Sequence, residues 1–110
     1  MAEKMSETAE ENTLPENFVE DNLHELCHLI TSNNDEDFMY EFFDCLFTRT
    51  ELVDFAKRWQ LVKDLDSGVT QREIAKKYSM SLCKITRGSK MLKKSDSAFS
   101  KMLTLLKENK

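Results

Sequence analysis

The stretch from Thr70 to Lys90 constrains this chain more tightly than any other, because it holds two helix starts and one break. Thr70, with Glu73 three residues later, makes a capping box. The hydroxyl and the carboxylate each satisfy a backbone N–H that the first helical turn leaves without a partner. Ile74, Ala75 and Tyr78 follow at helical spacing. Ser79-Met80-Ser81 interrupts the pattern, and Ser81 is placed to cap a second helix. On that helix Leu82, Ile85 and Leu92 recur at helical spacing and are expected to face inward. Ala75 is small enough to let two steeply crossing helices approach closely. Two short helices joined by a tight turn, over about 70–94, form the helix-turn-helix device for reading DNA.

The charge of this pair fits that expectation. Between Gln71 and Lys94 stand Arg72, Lys76, Lys77, Lys84, Arg87, Lys90, Lys93 and Lys94, against Glu73 as the single acid. Such cations draw most of their DNA affinity from phosphates. A charge run alone also describes a solvated helix face; the caps, the Ala and the turn favour DNA. Gly88 sits where an ordinary helix-turn-helix carries an inward apolar side chain. Glycine in a helix interior costs roughly 1 kcal/mol relative to alanine. Two readings follow: close helix packing against Gly88, or a slot beside Arg87 for a flat apolar ligand with an anionic end.

The rest of the chain is read as helical throughout. Two glycines and one proline in 110 residues argue against a turn-rich β fold, and 40% hydrophobic residues suffice for one core. The expected class is all-α, with a single domain over 14–110 after a disordered acidic tail at 1–13. Leu14-Pro15 is expected to open a first helix with Phe18, Val19, Leu23, Leu26, Cys27 and Ile30 on its apolar face. Asp35 can cap a second, with Phe38, Met39, Phe42, Phe43 and Leu46. Thr48 and Glu51 form a capping box for a third. Its Leu52, Phe55, Ala56, Trp59, Val62 and Leu65, widened by Val53 and Leu61, cover more than one face, so a partner subunit is the simplest cover. Gly68 stops it. Ser95 or Asp96 is expected to cap a last helix bearing Ala98, Phe99, Met102, Leu103, Leu105 and Leu106.

Charge is unevenly distributed behind the net −4. Residues 1–47 hold thirteen acids and only Lys4, so an acidic body with a basic tip would orient itself on a polyanion. Cys27, Cys45 and Cys83 have no CxxC spacing and read as small buried hydrophobes in a reducing compartment. His24 and His28 lack a matching ligand pair, so no metal is expected. No stretch reads as a signal peptide or a membrane span, which predicts a cytoplasmic protein with no membrane partner. No nucleophile–base pair or Gly-rich phosphate loop points to an enzyme.

With these residues assembled, the chain resembles the Trp repressor family over about residues 18–107. The match is weak in the first helices, strong across Gln71-Arg72-Glu73-Ile74, and strongest at Ile85-Thr86-Arg87-Gly88-Ser89. Other helix-turn-helix classes do not carry that last run. The resemblance implies six helices in an intertwined homodimer, with L-tryptophan as corepressor between core and reading head and no other cofactor. By the same resemblance the indole lies between Arg58 and Arg87, with Gly88 giving it space. Arg87 also pairs with the carboxylate. The ammonium is held by carbonyls corresponding to Cys45 and Phe47 at the end of the partner's second helix, with Thr48 adjacent and Met91 nearby. Contacts to double-stranded operator DNA map onto Gln71, Arg72, Leu82, Cys83, Lys84, Thr86, Lys90 and Lys93.

Four departures from the family pattern stand out. The loop after Gly68 is one residue shorter, and Ser79 takes a turn position that is usually glycine. Lys84 replaces a threonine in the reading helix, implying a different operator. Met91 replaces a serine near the ligand's amino group, and a thioether donates no hydrogen bond. The alternatives are a DNA-binding regulator of the same fold that needs no ligand, and a helical interaction module that never binds DNA.

Overall fold

The computed structural model describes residues 13–94 and 96–109. The acidic tail expected at 1–13 therefore lies, Thr13 apart, outside the described residues, as does Ser95. Six helices follow one another: α1 (Phe18–Thr31), α2 (Glu36–Leu46), α3 (Arg49–Asp66), α4 (Gln71–Tyr78), α5 (Leu82–Lys93) and α6 (Ala98–Glu108). No strand occurs among the described residues. The all-α class and the helix order agree with the sequence pattern.

Most boundaries fall where a side chain satisfies the first free N–H groups. Asp35 Oδ1 accepts from the Phe38 N–H at 3.1 Å at the start of α2. Thr48 Oγ1 accepts from the Glu51 N–H at 3.2 Å, and Glu51 Oε1 accepts from the Thr48 N–H at 2.8 Å. Gly68, at φ 92°, follows the end of α3 in the left-handed conformation that a glycine adopts without Cβ strain.

Two starts differ from expectation. α1 begins at Phe18, not at Pro15, because Asn17 has φ 64° and a left-handed residue cannot continue a right-handed helix. Pro15 instead lies in a turn, its carbonyl accepting from the Phe18 N–H at 3.1 Å. At α6 the cap is Ser97, not Asp96. Ser97 Oγ accepts from the Ser100 N–H at 3.1 Å, while Asp96 sits at φ 55° in the preceding turn.

The chain divides into two compact units within α2, between Phe42 and Phe43. In the first, α1 has no buried residue and neither has α2. Leu26, Ile30, Phe38 and Met39 instead line an apolar cavity of about 230 Å³. In the second unit, Leu61, Ile74 and Ile85 form the centre, with Leu65, Val69, Ala75, Tyr78 and Met80 packed against them. Burying such branched side chains contributes roughly 1.5–3 kcal/mol each. Asp64 links α3 to α4: its Oδ2 accepts from the Tyr78 hydroxyl at 3.1 Å, and its Oδ1 from Gln60 Nε2 at 2.9 Å. Lys107 of α6 reaches Asp66 at 3.0 Å, an exposed pair of small worth.

Only Leu61 and Val62 of α3 are buried. Phe55 remains 46% exposed although its ring lies 4.6 Å from that of Phe47. Along residues 52–65, Phe55 and Ala56 are exposed, Leu52, Val53, Trp59 and Leu65 are half-buried, and Leu61 and Val62 are buried. No described helix is long and apolar enough to cross a membrane.

Candidate nucleic-acid interface and ligand cavity

Local chemistry fixes the α4–α5 pair at both ends. Thr70 Oγ1 accepts from the Glu73 N–H at 3.2 Å, and Glu73 Oε1 accepts from the Thr70 hydroxyl at 3.0 Å. The turn is closed by Ser79 in a left-handed conformation, φ 54° and ψ 41°. Its N–H and that of Met80 both reach the Ala75 carbonyl. Ser81 Oγ then accepts from the Lys84 N–H, at a long 3.4 Å. Both helices thus start on the caps read from the sequence, and Ile74 and Ile85 lock them together through side chains that expose no surface.

What α5 turns outward is basic. Lys84, Arg87, Lys90, Lys93 and Lys94 are exposed, as are Cys83 and Thr86. Leu82 is exposed too, at 62%, and does not face inward as its spacing suggested. It stands in the first turn of α5, where Leu82, Cys83 and Lys84 are all exposed, ahead of the buried Ile85 and Gly88. Leu82, Cys83, Thr86 and Lys90 line one open depression of about 580 Å³, together with Arg87 and Met91. That surface unites four of the eight residues expected at DNA. Of the other four, Lys84 faces a different concavity, Gln71 is half-buried and Arg72 exposed at the start of α4, and Lys93 lies at the end of α5. No carboxylate lines the depression, so its chemistry suits a polyanion.

The other concavity lies between α3 and α5. Arg58, Leu61 and Val62 supply one wall, Lys84, Arg87, Gly88 and Met91 the opposite one, and Phe99 of α6 an end, around about 370 Å³. Such a volume falls in the range of small-molecule sites. Its lining is apolar apart from three cations and contains no carboxylate. It therefore suits a flat apolar body with an anionic group.

The geometry at Gly88 bears out the close-packing reading. A Cβ built there would stand 3.1 Å from Leu61 Cδ2 and 3.7 Å from Leu65 Cδ1. The volume given up by the missing side chain is thus taken by close packing of α5 on α3. The cavity lies beside that contact, with Gly88 as part of its wall.

Arg58, Arg87, Gly88 and Met91 line one cavity, and Cys45, Phe47 and Thr48 are not among its lining. Cys45 lies in the last turn of α2, Thr48 caps α3, and the Phe47 ring packs on Phe55 and Phe43. Phe99 and Lys84 also line the cavity, where the sequence pattern assigns the first only to an apolar helix face and the second only to DNA contact. The sequence signals were present, an aromatic at the start of α6 and a cation one turn before Gly88. Their convergence depends on how α6 and α5 pack.

Cys27, Cys45 and Cys83 are all exposed, which corrects their reading as buried hydrophobes. Cys27 and Cys45 belong to helices with no buried residue, and Cys83 sits on the outward side of α5. Their apolar spacing reported helix faces that one chain does not cover. Among the described residues no group of three or more His, Cys, Asp or Glu could hold a metal ion.

Comparison with known proteins places these features in a family. The family described as Trp repressor protein matches residues 21–107. A Trp operon repressor homolog of Chlamydia trachomatis serovar L2 is 42% identical over 69 residues, covering 62% of this chain and 73% of that protein. One from Chlamydia caviae is 39% identical over 80 residues, covering 72% and 76%. A third, from Xylella fastidiosa, is 32% identical over 65 residues, covering 58% and 71%. No solved structure is a significant match.

Proposed function

Because the chain belongs to the Trp repressor family of transcription regulators, we propose that it is a DNA-binding repressor acting as an intertwined homodimer. L-Tryptophan fills the α3–α5 cavity, and each α4–α5 pair acts as a helix-turn-helix that enters the major groove of a palindromic operator. The observation that carries this reading is one helix with two uses. α5 walls a ligand-sized cavity through Arg87 and Gly88 and presents Cys83, Thr86 and Lys90 on an open surface.

The roles follow from the chemistry of each side chain. The guanidinium groups of Arg58 and Arg87 stack on the indole faces, and Arg87 also pairs with the carboxylate. The carbonyls of Cys45 and Phe47 in a second copy, beside Thr48, take the ammonium that this cavity's own lining has no carboxylate to receive. Leu61, Val62 and Phe99 exclude water from the ring. On the outer side, Gln71, Arg72 and Lys93 meet phosphates, while Lys84 and Thr86 stand near base edges and Leu82, Cys83 and Lys90 complete the contact surface.

A two-fold dimer presents its reading helices to successive major grooves, about 34–36 Å apart, a requirement for which the Trp repressor is itself a reference case. Tryptophan favours the DNA-competent arrangement only by binding it better than the alternative. Ligand and DNA must then strengthen each other reciprocally, commonly by about 5–150-fold.

The test is a salt-dependent titration of short duplex DNA, recovered by selection from a random pool, with and without tryptophan, phenylalanine or tyrosine. Tryptophan is expected to raise affinity, rising salt to lower it, and Arg87→Ala to weaken both tryptophan and DNA binding. Undiminished tryptophan-dependent DNA binding by Arg87→Ala would refute the assignment. The second reading, a regulator that binds DNA without ligand, is favoured by Met91, whose thioether lines the cavity near the place assigned to the ammonium. Equal DNA affinity with and without tryptophan would select it.

A further inference from the structure

Lys84 occupies the third position of α5, its backbone N–H donating to the Ser81 cap. The residue is exposed, yet it also lines the α3–α5 cavity together with Arg58 and Arg87. No acidic side chain lines that cavity. A lysine stem of four methylenes lies readily along apolar surface while its ammonium stays in water. Leu61 and Val62 supply such a surface on the facing wall. One side chain thus belongs both to the wall of the cavity and to the outward first turn of the basic helix.

We infer that Lys84 is the specificity-determining residue through which DNA senses whether the cavity is filled. The inference rests on the function proposed above. With the cavity empty, the stem is free to collapse toward Leu61 and Val62, taking the ammonium away from the outer surface. An aromatic ring in the cavity occupies that space, covers one side of the stem and restricts its rotamers. The ammonium is then held outward, where a phosphate beside the base edges receives it. A shorter uncharged side chain at this position has neither the stem nor the charge for this role.

Two variants separate stem from charge. Lys84→Met keeps an unbranched apolar stem and removes the cation, and Lys84→Ala removes both. Each is compared with the unmodified chain by titrating the selected duplex with and without L-tryptophan over a range of salt, and by calorimetric titration of tryptophan without DNA. Lys84→Met keeps a stem over the ring and loses the cation, so its tryptophan affinity reports the stem alone. It should reduce the tryptophan-dependent gain in DNA affinity by at least about fivefold. Its salt slope should fall by about 1 in the tryptophan-bound complex alone. Lys84→Ala should show the same loss of gain and weaker tryptophan binding.

If Lys84→Met keeps the full gain and slope while the unmodified chain responds to tryptophan, this inference is overturned and the proposed function stands. A slope reduced equally with and without tryptophan makes Lys84 a plain phosphate contact and overturns it as well. An unmodified chain whose DNA binding ignores tryptophan overturns both.

Discussion

Gly88 packs against α3 and also borders the α3–α5 cavity. Its Cβ position lies 3.1 Å from Leu61 Cδ2, the flexible end of a side chain rather than backbone. An alanine there gains roughly 1 kcal/mol of helix propensity over glycine and meets a methyl group that must move by a few tenths of an ångström. Gly88→Ala is therefore expected to change unfolding free energy by less than about 1 kcal/mol, measured by urea denaturation. Gly88→Leu drives a branched side chain into Leu61 and Leu65, and overpacking of that kind costs about 1–3 kcal/mol. The same substitution fills the cavity wall, so tryptophan heats should vanish from a calorimetric titration. A leucine variant with unaltered tryptophan affinity removes Gly88 from the ligand site. The two possible uses of this glycine could not be separated along the chain, because spacing records that a side chain is missing but not what occupies the space. Leu61 answers that question only once α3 and α5 are packed.

Among the helices, the legible features are those that act within one turn. The capping boxes at Thr48 and Thr70, the caps Asp35 and Ser81, and the C-terminal Gly68 all stand where the sequence put them, since each hydrogen bond spans three residues or so. Leu82 is exposed although it shares its spacing with Ile85, because helical spacing gives a direction around the axis but not where the packed partner ends. The starts of α1 and α6 shifted because Asn17 and Asp96 adopt positive φ, a choice made by the turn each must complete. Ser79 belongs to the same class, and its cost is measurable. An L-residue in the left-handed conformation is strained by roughly 1–2 kcal/mol, while a glycine loses more freedom on folding. The net expectation for Ser79→Gly is a gain of about 0.5–1 kcal/mol in stability, seen as a higher melting temperature. A lower melting temperature means that the Ser79 side chain contributes something to the α4–α5 turn beyond its backbone shape.

For the molecule as a whole, the surface that one chain leaves apolar is the strongest argument for a partner of the same kind. Phe18, Val19, Leu23 and Leu29 of α1 are 42–57% exposed, and Phe38 of α2 is 50% exposed. Scattered exposed apolar residues need no explanation, but apolar faces running along successive helices do. Replacing an exposed residue of a monomer normally changes stability by no more than about 0.5 kcal/mol. Leu23→Glu therefore discriminates between two states of the protein. If α1 is solvated in solution, the substitution is close to neutral and the chain sediments as a monomer. If a second copy covers α1, a carboxylate is buried without a partner, and assembly and folding weaken together. We expect the second outcome: a dimer by sedimentation, a melting temperature that rises with protein concentration, and loss of both in Leu23→Glu. Because a single chain presents one basic α5 surface and a palindrome demands two, the same variant should also lose tight binding to the selected duplex. Its residual affinity, supplied by one set of cations, should show a salt slope about half that of the dimer.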